Sequence, residues 1–153
     1  MKFAKGVAAG LAAAMLLSSM PAAATTGMSQ AEKLRRLDIM LMVTGLRCRS
    51  TSDNFTSDYG RFTAAHMGEL NAASSTLKAD MARRYGAVGA NRALDRLSTQ
   101  MANEYGQGHP WLNCGQLKLV TRSLADMRGT APLVEAADEL LGRGPQQLAW
   151  VRR

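Results

Sequence analysis

An all-α fold, a single-domain helical bundle of about five helices stapled by one disulfide, is what this sequence predicts. Apolar residues recur at steps of three and four from Leu34 to Leu141, the spacing of helices that each bury one face. No strand-like alternation of useful length interrupts them. Glycines at 45, 86, 106, 108, 129 and 142 divide the run into helix-sized pieces, and two cysteines, Cys48 and Cys114, are available to tie the pieces together.

Residues 1–24 have a composition of their own. Lys2 and Lys5 precede the apolar run from Val7 to Leu17, and Pro21 leads into Ala22, Ala23 and Ala24. A basic end, a short apolar stretch and an A-x-A site predict a secretory signal peptide cleaved near Ala24. Only about 15 residues separate Lys5 from Pro21, against the roughly 20 that a membrane anchor needs, and no cysteine near the cleavage point invites lipidation. Cleavage would leave about 129 residues, room for one domain with a core and too few for two. They divide into a helical domain over 25–142 and a flexible basic tail over 143–153. Loss of Lys2 and Lys5 lowers the formal charge from +7 to about +5. In an exported chain that surplus points away from nucleic acid and toward an anionic envelope component or a membrane surface, unless it is simply a solvated arginine-rich surface. In an exported chain, two cysteines most economically make one bridge, Cys48 to Cys114.

The first helix is expected to start at Ser29, which with Glu32 has the pattern of a capping box, to bury Leu34, Leu37, Met40 or Leu41, and Val43, and to end at Gly45. A polar connector over 49–54 follows. One long helix is then predicted from Phe55 to Tyr85, because Phe55, Tyr59, Phe62, His66, Leu70, Ala73, Leu77 and Met81 fall on one face. This rod is expected to be the element that the rest of the chain covers. On its flank Ala65, Gly68, Ala72, Ser75 and Ala79 either admit a close helix or fill surface, and Gly86 suits a C-terminal cap. A third helix over about 88–105 carries Val88, Ala90, Leu94, Leu97, Met101 and Tyr105. Pro110 is expected in the first turn of a fourth, bearing Trp111, Cys114, Leu117 and Leu124 and ending near Gly129. Thr130 and Pro132 open a fifth, with Leu133, Val134, Ala137, Leu140 and Leu141, closed by Gly142. In the tail, Trp150 is the one residue suited to docking in a groove.

No catalytic set is legible. G-x-S-x-G and the phosphate-loop pattern are both missing, and Gly86-Ala87-Val88-Gly89 follows no strand. His66 and Glu69 are one helical turn apart and can share a metal or a proton, but two ligands do not close a zinc site, and a hydrogen-bonded core histidine is the simpler reading. His109 can be paired with Glu104 or Cys114 on paper; a disulfide removes Cys114 as a nucleophile. Met40 and Met42 near Cys48 face different sides of a helix, which favours core filling over copper. No cofactor and no metal are therefore expected. The least generic stretch is Gly106-Gln107-Gly108-His109-Pro110-Trp111, and the expected contact surface is His109 and Trp111 with the arginines Arg47, Arg49, Arg92 and Arg96.

The run from Leu34 to Thr44 with Arg47-Cys48-Arg49, the segment Gly89 to Arg96, and Gly106 to Cys114 resemble a group of small exported proteins of sphingomonad-type bacteria. The likeness extends over most of the chain beyond residue 24. It implies export and brings no assigned role. Some members bear the label S-adenosyl-L-homocysteine hydrolase; that enzyme is large and cytosolic, with a dinucleotide-binding domain for which this chain has neither the length nor a glycine fingerprint after a strand. The expected function is a periplasmic or secreted helical protein with a non-enzymatic binding or structural role. A small hydrolase or metal-dependent enzyme using His66, Glu69, Glu104 and His109 is the rival, and a periplasmic stress chaperone is the third reading.

Overall fold

The computed structural model describes residues 27–142, so the expected signal peptide, the expected tail over 143–153 and Trp150 lie outside the described residues. The described chain is all-α: α1 (Gln30–Cys48), α2 (Thr56–Ala65), α3 (Met67–Tyr105), α4 (Cys114–Asp126) and α5 (Thr130–Leu141), with no strand among the described residues.

Ser29 caps α1 by accepting the Glu32 N–H at 3.1 Å. Only half of the expected capping box forms, because the Glu32 carboxylate is held by Arg36 Nε at 2.9 Å. The helix runs past Gly45 to Cys48. Gly45 is interior for a packing reason: a Cβ there would meet the Phe55 ring at 3.4 Å. Leu34, Leu37, Ile39, Met40, Leu41 and Thr44 are all buried, which covers far more than one stripe. Thr44 is satisfied inside the core by donating its hydroxyl to the Met40 carbonyl at 2.7 Å.

This breadth of burial moves the centre of the fold. The helix that touches all four others is α1, most extensively α3, and the expected central rod from Phe55 to Tyr85 is not continuous. It breaks at His66, whose backbone sits at φ −116°, ψ 21°. Phe55 and Phe62, both fully buried, belong to the segment that packs mainly on α4. Beyond the break, Ala73 and Leu77 are buried on α3. A second break within α3 falls at Gly86, with φ 71° and ψ 170°, a region open essentially to glycine alone. It divides α3 where a helix end was expected. The small flank of Ala65, Gly68, Ala72, Ser75 and Ala79 is exposed throughout, so it fills surface.

The fourth helix begins four residues later than Pro110. Asn113 and Gln116 form a reciprocal capping box, with Asn113 Oδ1 accepting the Gln116 N–H at 2.9 Å and Gln116 Oε1 accepting the Asn113 N–H at 3.0 Å. This start places Cys114 in the first turn, where it is bonded to Cys48 with the two Cα atoms 5.8 Å apart. Gly129, at φ 85°, turns the chain into α5, and Leu133, Ala136, Ala137 and Leu140 close the core.

Candidate functional site

The two histidines occupy equivalent positions in different parts of the fold. His66 lies between α2 and α3 and His109 between α3 and α4. Each is buried, and each presents Nε2 to a carbonyl in the last turn of a helix: His66 to Leu124 O of α4 at 2.7 Å, His109 to Leu140 O of α5 at 3.0 Å. A carbonyl oxygen only accepts, so Nε2 carries the proton in both. Each imidazole thereby fastens a connector to carbonyls that a helix leaves short of partners at its C-terminus.

The remaining nitrogen of each ring has little freedom. His66 Nδ1 makes no hydrogen bond and lies 3.8 Å from Glu69 Oε1, with its ring 1% exposed and 5.3 Å from Phe62. His109 sits between aromatic rings, Tyr105 at 5.5 Å and Trp111 edge-on at 4.6 Å. Burial pushes its pKa below the ordinary 6.5, against a smaller upward pull from the Leu140 carbonyl. The lone pair of His66 Nδ1 is shut away from solvent, and that of His109 Nδ1 accepts the Trp111 N–H at 3.5 Å.

The rival catalytic set appears as two neighbourhoods, His66 with Glu69, and Glu104 and His109 each against Tyr105. His66, Glu69, Glu104 and His109 are spread over separate contacts: Glu69 neighbours His66, while exposed Glu104 acts on Tyr105. Tyr105 has its pKa raised well above the usual phenol range, first by burial and then by Glu104. No group of three His, Cys, Asp or Glu side chains among the described residues is placed to hold a metal. The cysteine sulfurs are joined to each other.

The expected contact set divides. His109 is an interior residue and Trp111 is half-buried with its Nε1 enclosed and unpartnered, so the loop over 106–111 turns its distinctive side chains inward. Arg47 stays with that loop: a Cβ on Gly108 would lie 3.3 Å from Arg47 Nε. Gly108 is demanded by its backbone angle, φ 113°, while the arginine beside it could shift to admit a Cβ. Arg49 is exposed just beyond Cys48. Arg92 and Arg96 are exposed one turn apart on α3. Arg96, the nearer, is about 15 Å along the helix from Gly106 by its rise per residue. There it borders an open groove with Asp95, Thr99, Gln100 and Asn103.

Two polar links were not read from the sequence. The Tyr59 hydroxyl donates to Asp38 Oδ1 at 2.8 Å, joining α2 to α1, and burial together with Asp38 holds that phenol protonated far above its usual range. Asp58 accepts from Arg122 Nε at 2.9 Å, joining α2 to α4. Neither pairing has a local signal, because the partners are far apart in the chain. A third feature did have one: Arg83 to Val88 is a run of six consecutive exposed residues around Gly86, and two adjacent arginines before Tyr85-Gly86 announce it.

No protein-family model matches the chain, and neither a curated protein nor a solved structure does.

Proposed function

We propose that this chain is an exported helical protein of the cell envelope that binds or supports another envelope component and carries out no chemistry of its own. The observation that carries the reading is the use made of the two histidines. Each is sealed in the core and holds a helix end, while the sulfurs that could serve as nucleophiles are spent on the bridge. The side chains that reach solvent include many arginines beside as many asparagines and glutamines, small residues and a few large apolar ones, Leu46, Met67, Tyr85, Val88 and Leu119 among them, which gives a contact surface both charge and apolar area. A disulfide closing 66 residues of sequence supports an oxidising compartment, as does the basic, apolar and small-residue order of residues 1–24.

Fractionation of cells expressing the full chain, followed by non-reducing peptide mapping, tests this directly. The expected result is envelope-located protein lacking residues 1–24, with the Cys48 and Cys114 peptides linked. Cytoplasmic protein with two free thiols overturns the reading.

A further inference from the structure

We propose that the bend of α3 at Gly86 is a docking tip for anionic phospholipid bilayers, in which Tyr85 and Val88 enter the interface and the surrounding arginines meet lipid phosphates. The proposal rests on the envelope reading and gives it a partner.

A helix lying on a core buries residues at steps of three and four, and α3 does so at Ala73 and Leu77 and again at Ala90, Ala93 and Leu97. Between them the rhythm runs on to half-buried Met81, which packs on the core, and then stops. All six residues from Arg83 to Val88 are exposed, more than one full turn, so no face of the helix meets the core there. Tyr85 is 55% exposed and Val88 68%, the latter the most exposed large apolar side chain described.

The backbone at this point is specified by two glycines for two different reasons. Gly86 has open space where a Cβ would go, so its positive φ alone demands glycine. Gly89 is in the opposite position: a Cβ there would come within 2.6 Å of the Tyr85 Cβ. Together they turn the chain and let Tyr85 lie close to the next segment. An element whose sole task was to span the core would have no use for either.

Charge selects the occupant. Within six residues of Gly86 stand Arg83, Arg84 and Arg92 against Asp80. Asp80 pairs with Arg83, while Arg84 and Arg92 have no carboxylate partner among the described residues. An apolar apex ringed by arginine matches the interfacial zone of an anionic bilayer, where aromatic rings sit at headgroup depth and long basic side chains reach phosphate. A nucleic acid would engage the arginines and leave Val88 without a counterpart. No described helix is long and apolar enough to cross a membrane, so the contact proposed is peripheral.

Co-sedimentation of the disulfide-bonded exported chain with phosphatidylglycerol/phosphatidylcholine vesicles, and with phosphatidylcholine alone, is the test. Binding is expected only to the anionic vesicles and is expected to weaken with salt. Arg84→Gln and Arg92→Gln should each weaken it about fivefold, and the pair about 30-fold. The double variant Tyr85→Ser/Val88→Ser should lose most of it with an unchanged circular dichroism spectrum, while Leu119→Ser should bind as the wild type does. Equal binding to both vesicle types, no binding, or tip variants that bind like wild type would each overturn the proposal. So would a photo-reactive group placed at position 88 that yields only polypeptide adducts in cells. Bridged envelope protein that ignores vesicles refutes the tip alone, whereas cytoplasmic protein with free thiols refutes the envelope reading beneath it.

Discussion

His66 donates its Nε2–H to the Leu124 carbonyl at 2.7 Å, across 58 residues of sequence, and this bond ties the break between α2 and α3 to the last turn of α4. The helical path is interrupted at the residue whose ring turns inward. Phe62, one turn earlier, packs at a tilt against the same ring.

Replacing His66 by leucine should therefore lower stability by about 1–2 kcal/mol. The cost stays moderate because Leu124 O also accepts the Met127 N–H at 3.2 Å and so keeps one partner. Urea titration reads it, and His66→Gln, which retains a donor, should recover part. A leucine variant as stable as wild type would show that the bond contributes nothing net.

His109 supplies a pH dependence whose sign follows from its burial. Its folded pKa lies below the ordinary 6.5, so the unfolded chain binds a proton that the folded chain resists. Its contribution is fully present above that ordinary value, declines as pH falls through it, and levels off once the folded state also protonates. The stability difference between wild type and His109→Gln should consequently shift against wild type between about pH 7.5 and about pH 5.5. A constant difference over that range would mean the ring titrates normally.

Reduction of the Cys48–Cys114 bridge opens a loop with a sequence separation of 66. In the chain-entropy account this costs about 4 kcal/mol, or on the order of 15 °C in Tm for a domain of this size. Thermal unfolding of the Cys48→Ala/Cys114→Ala double variant checks it. A shift of only one or two degrees would place the stability in helix packing alone.

Gly86→Ala should destabilise the fold by about 1–3 kcal/mol, the usual strain of a non-glycine residue in that backbone region. Space is not the cause, since nothing lies within 4 Å of the added carbon. Chemical denaturation measures the loss. An alanine variant at least as stable as wild type would indicate that α3 straightens through the bend at no cost.

Much of the local structure was legible because its causes are local. Ser29 and Gly142 bracket the first and last helices through capping and chain-breaking chemistry that needs only near neighbours, and Asn113 with Gln116 carried the same kind of signal for α4, which Pro110 obscured. The error over residues 55–85 has a different origin. Apolar spacing reports which residues are buried and is almost blind to a single non-helical residue between two helical runs, so Tyr59, Phe62, Leu70 and Leu77 keep the same rhythm on either side of His66. For the candidate site, the arginines and the glycines of the bend could be seen in the sequence. The burial of His109 and Trp111 could not, since Leu140, Tyr105 and the enclosing core reach them only once the chain has folded.

By itself, the amino-acid order determined that the described residues are all-α, where the first helix begins and where the last begins and ends, and which two sulfurs pair, because periodicity, caps and a cysteine count of two act over a few residues or leave no alternative. Tertiary structure decided that α1 is the centre, that both histidines serve helix ends, and that Tyr85 and Val88 stand clear of the core. Those outcomes depend on which long-range contacts win when several apolar faces compete for one interior, and no stretch of sequence contains that competition.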